Sequence, residues 1–130
     1  MFFEDYQGTD YGEFIYKDLD GNVLEHIFSA LVTRGQLNGY QTLPIPATIR
    51  DNYLTIGQEF VLVKGRDIEP QKWYIKWNHD KNNYYAFAKG WYGYVQANRM
   101  DVDDIVDFFL NKTTSAWVVT YLRTADAKRA

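Results

Sequence analysis

The chain of 130 residues contains no cysteine, which excludes a disulfide framework, a thiolate metal site and thiol catalysis. Histidine occurs only twice, at His26 and His79. Neither lies in a nucleophile motif and no glycine-rich phosphate cradle accompanies them, so no catalytic residue is expected. Asp103 and Asp104 are neighbours, and within a strand they would point to opposite faces instead of acting as a carboxylate pair. No apolar run approaches the roughly 20 residues that a membrane helix needs. The opening MFFEDYQGTDYGEF has neither a basic n-region nor a continuous apolar stretch, so a soluble intracellular protein with no membrane attachment is expected. Internal repeats and low-complexity segments are also missing.

What is abundant is aromatic: eleven Tyr, eight Phe and four Trp, together 18% of the chain. Aromatic residues favour sheets, and the length fits one domain with a real core. The net charge of -3 hides a segregation. Residues 1 to 27 carry seven acids against Lys17, whereas residues 28 to 99 carry nine bases against five acids. Within 72 to 99 there are five bases, and Asp80 is the only acid. A local positive surface of this kind can meet phosphate on an otherwise acidic protein.

The stretch from Trp73 to Phe109 organises the rest. Trp73, Ile75 and Trp77 alternate with Tyr74 and Lys76 at strand period, Asn78 to Asn83 break the pattern, and Tyr85 and Phe87 resume it. This predicts a hairpin with a basic, amide-rich tip. A helix follows over Gly90 to Met100, with Trp91, Tyr94, Val95 and Ala97 on its inner face. Upstream, Phe14 to Phe28 form a hairpin about Asp20-Gly21; a calcium loop is disfavoured because its first and last positions would be Tyr16 and Ile27. Phe28 to Thr33 is a strand. Arg34 to Thr42 is an acid-free polar loop whose Arg, Gln, Asn and Thr side chains suit phosphates and base edges, or simply solvent. Pro46 opens a short helix over Ala47 to Leu54, and Gln58 to Lys64, Ile105 to Leu110 and Ala116 to Leu122 are further strands. Asn111-Lys112-Thr113 matches a glycosylation sequon but is expected to be a hairpin turn. The pattern is that of a closed or nearly closed antiparallel barrel.

Over residues 28 to 122 the chain resembles the plant B3 DNA-binding domain, the pseudobarrel of auxin-response, embryogenesis and reproductive-meristem transcription factors. The likeness rests on three groups of residues. Phe28, Val32-Thr33, Leu43, Ile45 and Pro46 precede a short helix, and Trp73 opens the hairpin strand. The most specific run is Phe87, Lys89-Gly90-Trp91, Tyr94-Val95, Asn98, Asp104, Val106 and Phe108. The resemblance implies a mainly β, seven-stranded open antiparallel pseudobarrel with two short α-helices, preceded by an acidic flank over 1–27 with a β-hairpin and followed by a flexible tail over 123–130. It implies a nuclear transcription regulator that grips the major groove of double-stranded DNA with two arms and uses no cofactor and no metal.

Carried over residue by residue, the first arm would present Asn38, Gln41 and Thr42, and the second Asn78, His79, Lys81, Asn82 and Asn83. Arg34, Lys76 and Lys89 would meet phosphates. Asn and Gln pair bidentately with adenine, which hints at A·T contacts. Two departures stand out. The family's lysine and Ser-Asp pair in the first arm are replaced by Ala30 and Gly35-Gln36, and its Gly-Asp before the closing strand by Asp103-Asp104. The acidic flank is the expected surface for a protein partner. The rival readings are a B3-like fold that has lost DNA binding and mediates protein contacts, and a carbohydrate- or peptide-binding module with an aromatic platform that includes Trp73 and Trp77.

Overall fold

The structure, a computed structural model, describes residues 2–6, 14–18, 20–65, 69–78 and 84–124. In chain order the elements are β1 (Phe2–Tyr6), β2 (Phe14–Asp18), β3 (Val23–Leu31), α1 (Arg34–Leu37), β4 (Leu43–Pro44), α2 (Ala47–Tyr53), β5 (Phe60–Lys64), β6 (Gln71–Asn78), β7 (Tyr84–Phe87), α3 (Lys89–Ala97), β8 (Ile105–Asn111) and β9 (Trp117–Leu122). All strands join one open sheet in the order β1-β2-β3-β8-β9-β5-β6-β7-β4.

The mainly β open sheet agrees with the sequence, with three corrections of detail. Eight strands have four residues or more and β4 has two, against the seven expected, because the hairpin partners β1 and β2 continue the same sheet from β3. The residue 27/28 boundary therefore falls inside β3. A third helix, the single turn α1, interrupts the first polar loop. One strand pair, β5 with β9, is parallel (Val63↔Trp117, Lys64↔Val118); these strands are far apart in sequence, so no hairpin turn dictates their relative direction.

The turns show why polar residues sit where they do. Both carboxylate oxygens of Asp18 are used locally: Oδ1 accepts from the backbone N–H of Asp20 (3.0 Å) and Asn22 (2.8 Å), and Oδ2 from Asn22 Nδ2 (3.2 Å). Gly21 adopts φ +83°, a conformation that costs glycine little, so this is a hairpin turn and not a calcium loop. The sequon residue Asn111 is buried and caps the β8–β9 turn, its Oδ1 accepting from the N–H of Thr113 and Thr114 and its Nδ2 donating to Asp18.

The core lies between the sheet and α3. Trp73 stands at its centre, its ring T-shaped against Phe87 at 5.4 Å, Tyr94 at 5.8 Å and Phe108 at 6.2 Å. Edge-to-face contact suits the aromatic quadrupole. Gly90 is glycine for a steric reason: a Cβ there would come within 2.5 Å of Trp73 Cγ. Trp91 and Val95 are fully buried as their spacing predicted, and Tyr94 is half-buried. Ala97, expected to face inward, is exposed, because two residues beyond the buried Val95 it lies about 200° round the helix from it. Phe108 and Phe109 point to opposite faces: Phe108 stacks on Phe28 at 4.6 Å in the core, while Phe109 meets Tyr16 of β2 at 5.1 Å. Tyr16, from a strand of the same sheet, thereby shields Phe109 on the sheet's other face.

Candidate nucleic-acid interface

The first polar loop is a folded arm. Thr33 caps α1 with a capping box, its Oγ1 accepting from Gln36 N (3.2 Å) while Gln36 Oε1 accepts from Thr33 N (3.1 Å). Gln36 Nε2 then donates to the Thr42 carbonyl at 3.1 Å, so this buried amide ties the arm's two ends together. The Gly35 carbonyl accepts from both Tyr40 N (2.8 Å) and Gln41 N (3.1 Å). Thr33 Oγ1 donates to Gln41 Oε1 at 3.0 Å, and the Gln41 side chain lies where a Cβ on residue 35 would be, only 2.4 Å from its nearest atom. Helix α3 holds the arm from below: Gln96 Nε2 donates to the Leu37 carbonyl at 2.7 Å, and Gly39 (φ +79°) sits over Tyr92. Of the residues expected at the interface, Arg34, Asn38 and Gln41 are exposed and Thr42 is half-buried. Tyr40, not anticipated from the sequence, is 86% exposed at the arm's tip; its place in an acid-free loop between Gly39 and Gln41 was the available signal.

The second arm grows from the β6–β7 pair, in register Ile75↔Phe87, Lys76↔Ala86, Trp77↔Tyr85 and Asn78↔Tyr84. Alternation puts Trp73 and Ile75 in the core and leaves Lys72, Tyr74 and Lys76 on the solvent face. At the arm's base Trp77 packs on the buried Tyr85 at 5.8 Å, with the Arg50 guanidinium 5.7 Å from the Tyr85 ring centre. Asp51 accepts a hydrogen bond from Arg50 Nε at 2.9 Å and raises its pKa above the ordinary value. Asn78 ends β6 opposite Tyr84, while His79, Lys81, Asn82 and Asn83 lie outside the described residues. Lys89 is exposed in the first turn of α3.

Topology fixes where the two arms meet the sheet. The first arm leads directly into β4, which pairs antiparallel with β7 (Leu43↔Phe87, Pro44↔Ala86). It therefore leaves the sheet beyond Phe87, whereas the second arm leaves at Tyr84. The three residue steps from Tyr84 to Phe87 span on the order of 10 Å, close to the roughly 12 Å width of the major groove.

Elsewhere, His26 Nε2 lies 3.1 Å from Ser29 Oγ and 3.4 Å from Asp107 Oδ1, and Ser29 donates to Asp107 directly. A hydrolytic triad instead places histidine between the other two, with a different ring nitrogen facing each, so this set does not form the relay. Asp103 is exposed and Asp104 buried in the turn before β8, where Asp104 accepts from Asp101 N (2.8 Å) and Thr124 N (3.0 Å). Its role is to close the fold. Trp73 and Trp77 line separate clefts, of 480 and 400 Å³, so they do not make one aromatic platform. Among the described residues no cluster of three or more His, Cys, Asp or Glu is placed to hold a metal, and no helix is long and apolar enough to cross a membrane.

No protein-family model matches the chain. The B3 domain-containing transcription factor NGA3 of Arabidopsis thaliana is 29% identical over 91 residues, a match that takes in 65% of this chain and 25% of the relative's length. The chain thus spans about a quarter of that relative. Two solved structures share the fold. The Arabidopsis FUS3–DNA complex superposes with a TM-score of 0.63 at 10% identity, covering 76% of this chain and 98% of that one. The Arabidopsis thaliana transcription factor LEC2–DNA complex gives 0.65 at 8% identity, covering 81% and 99%. The resemblance to the B3 domain family read from the sequence is borne out, and the chain has the B3-type pseudobarrel fold.

Proposed function

We propose that this chain is a sequence-specific reader of double-stranded DNA that holds the major groove between its two arms and serves as a transcription regulator in the nucleus. The observation that carries this reading is that two polar loops join the sheet at opposite ends of β7, a strand about 10 Å long. The related protein is named as a transcription factor and the two structural neighbours are DNA complexes, which supports it. Arg34, Lys76, Lys81 and Lys89 are assigned to phosphates, where charge matters more than fine geometry. Asn38, Gln41, Thr42, Asn78, His79, Asn82 and Asn83 are assigned to base edges or phosphates. The acidic flank is the surface assigned to any protein partner, and no catalytic role is assigned.

The test is a fluorescence-anisotropy titration against random duplex DNA at two salt concentrations. Lys76→Ala/Lys81→Ala should weaken binding and reduce the salt slope by about 2, since each phosphate contact contributes roughly 0.9. Folded wild-type protein that binds no duplex at low salt would sink the proposal. Binding to a glycan array that ignores ionic strength would replace it with the carbohydrate reading.

A further inference from the structure

We propose that Tyr40 reads the C5-methyl group of a thymine, making the tip of the first arm a determinant of A·T preference. This rests on the DNA-binding reading above and goes further by assigning a base contact to a residue outside the expected set. The ring is 86% exposed, and among the described residues no hydrogen bond or ring contact holds its side chain. Its backbone is nevertheless fixed. Tyr40 N donates to the Gly35 carbonyl at 2.8 Å, Gly39 is held against Tyr92, and Gln36 and Gln96 bind the arm from inside and below. A large apolar surface is therefore presented to solvent on a rigid support, so little backbone entropy is lost when a ligand covers it.

The neighbours define the ligand. Gln41 follows directly and its Nε2 has no partner among the described residues, while Asn38 is exposed two positions earlier. The exposed Asn38 amide suits adenine N6 and N7 together and the Gln41 Nε2 suits an acceptor such as N7, and the thymine paired with that adenine displays its methyl group in the same groove. An apolar ring beside two amides thus completes the recognition of an A·T pair. Arg34, on the same arm, is available for the phosphate, which leaves the ring of Tyr40 and not its hydroxyl as the distinguishing feature.

The experiment uses the duplex that the 130-residue chain selects from a random pool, with each thymine in turn replaced by deoxyuridine, which lacks only the methyl group. One replacement should weaken wild-type binding roughly three- to tenfold, the scale of a buried methyl. Tyr40→Ala should show the same loss on the unmodified duplex and be indifferent to that replacement, the coupling expected of groups in contact. Tyr40→Phe should match the wild type. The inference fails if Tyr40→Ala binds normally, if Tyr40→Phe is as weak as Tyr40→Ala, or if no replacement matters, provided Lys76→Ala still weakens binding; the DNA reading then survives without it. A folded wild type that binds no duplex at low salt removes both.

Discussion

The two arms are anchored to the sheet by different construction. The first is stiffened by hydrogen bonds that the loop makes with itself, through Thr33, Gln36 and Gln41, and by its seat on α3. The second continues a strand pair and rests on packed side chains, Trp77 tilted against Tyr85 with Arg50 alongside. A polar device of the first kind is directional, and it spends amides that would otherwise be available to a ligand. An aromatic base of the second kind involves none of the arm's amide side chains in its support. The first arm thus contributes a fixed shape that leaves Asn38, Gln41 Nε2 and Arg34 for a ligand, whereas the strand that leads into the second carries Lys76 on its solvent face.

Tyr85→Ala is the strongest way to break this comparison. The ring is buried, it supports Trp77, and its backbone carbonyl accepts from Ile45 N at 2.8 Å where the chain turns into α2. Truncating a buried aromatic costs about 3–5 kcal/mol, so global unfolding by urea should shift by that amount. A loss below about 1 kcal/mol would mean that the base is held by something other than this ring.

Gln36→Ala is the counterpart for the first arm. Three hydrogen bonds depend on that buried residue; the one to Gln36 N survives because it uses only the backbone, while the two made by the amide are lost. Losing these two bonds should cost about 1–3 kcal/mol. Amide hydrogen exchange should speed up across residues 34–42 and stay unchanged along β6 and β7. Equal acceleration in both arms would show that they are one cooperative unit and remove the distinction.

Gly39→Ala makes a smaller, more local change. The φ of +79° strains any residue with a Cβ, and the new methyl would approach Tyr92 Cε1 to 3.0 Å. A cost of about 1–2 kcal/mol follows. Tyr92→Ala should relieve the contact but not the backbone strain, so the double variant should recover only part of the loss. Full recovery would locate the whole penalty in the ring contact.

How much of this was legible depends on what a residue's partner is. Trp73, Trp91 and Val95 could be placed in the core because sheet and helix periods alone decide which face they occupy. The likeness to the B3 fold was likewise carried by apolar and glycine positions, such as Gly90, whose missing Cβ makes room for Trp73. Gln36 was harder to read: in sequence it is one more amide in an acid-free loop, and only the closure of that loop turns it into an internal tie. Gln41 shares this ambiguity, with Oε1 committed to Thr33. The parallel pairing of β5 with β9 was illegible because each strand alone has the same alternation whichever way its neighbour runs.

Helix α3 is what the comparison leaves in common, since Tyr92 on one side supports the first arm while Tyr94 on the other packs against Trp73 and, at 6.3 Å, Tyr121. Burial pushes the Tyr94 phenol well above its usual 10.0, and the neighbouring Tyr121 adds to the shift. Because the folded value is raised, the neutral phenol's contribution is fully present below pH 10 and is lost as pH climbs from there towards the folded value. The unfolded chain then releases a proton that the folded chain retains, so stability should fall by up to about 1.4 kcal/mol per pH unit. Tyr53 is also raised, chiefly by burial and then by Glu25, so the wild-type curve alone does not isolate Tyr94. Comparison with Tyr94→Phe does: at neutral pH the two proteins should differ little, and urea midpoints measured from pH 8 to 11 should fall more steeply for the wild type. Parallel curves would show that the phenol of Tyr94 is not the group being titrated, and that the seat of the first arm is insensitive to it.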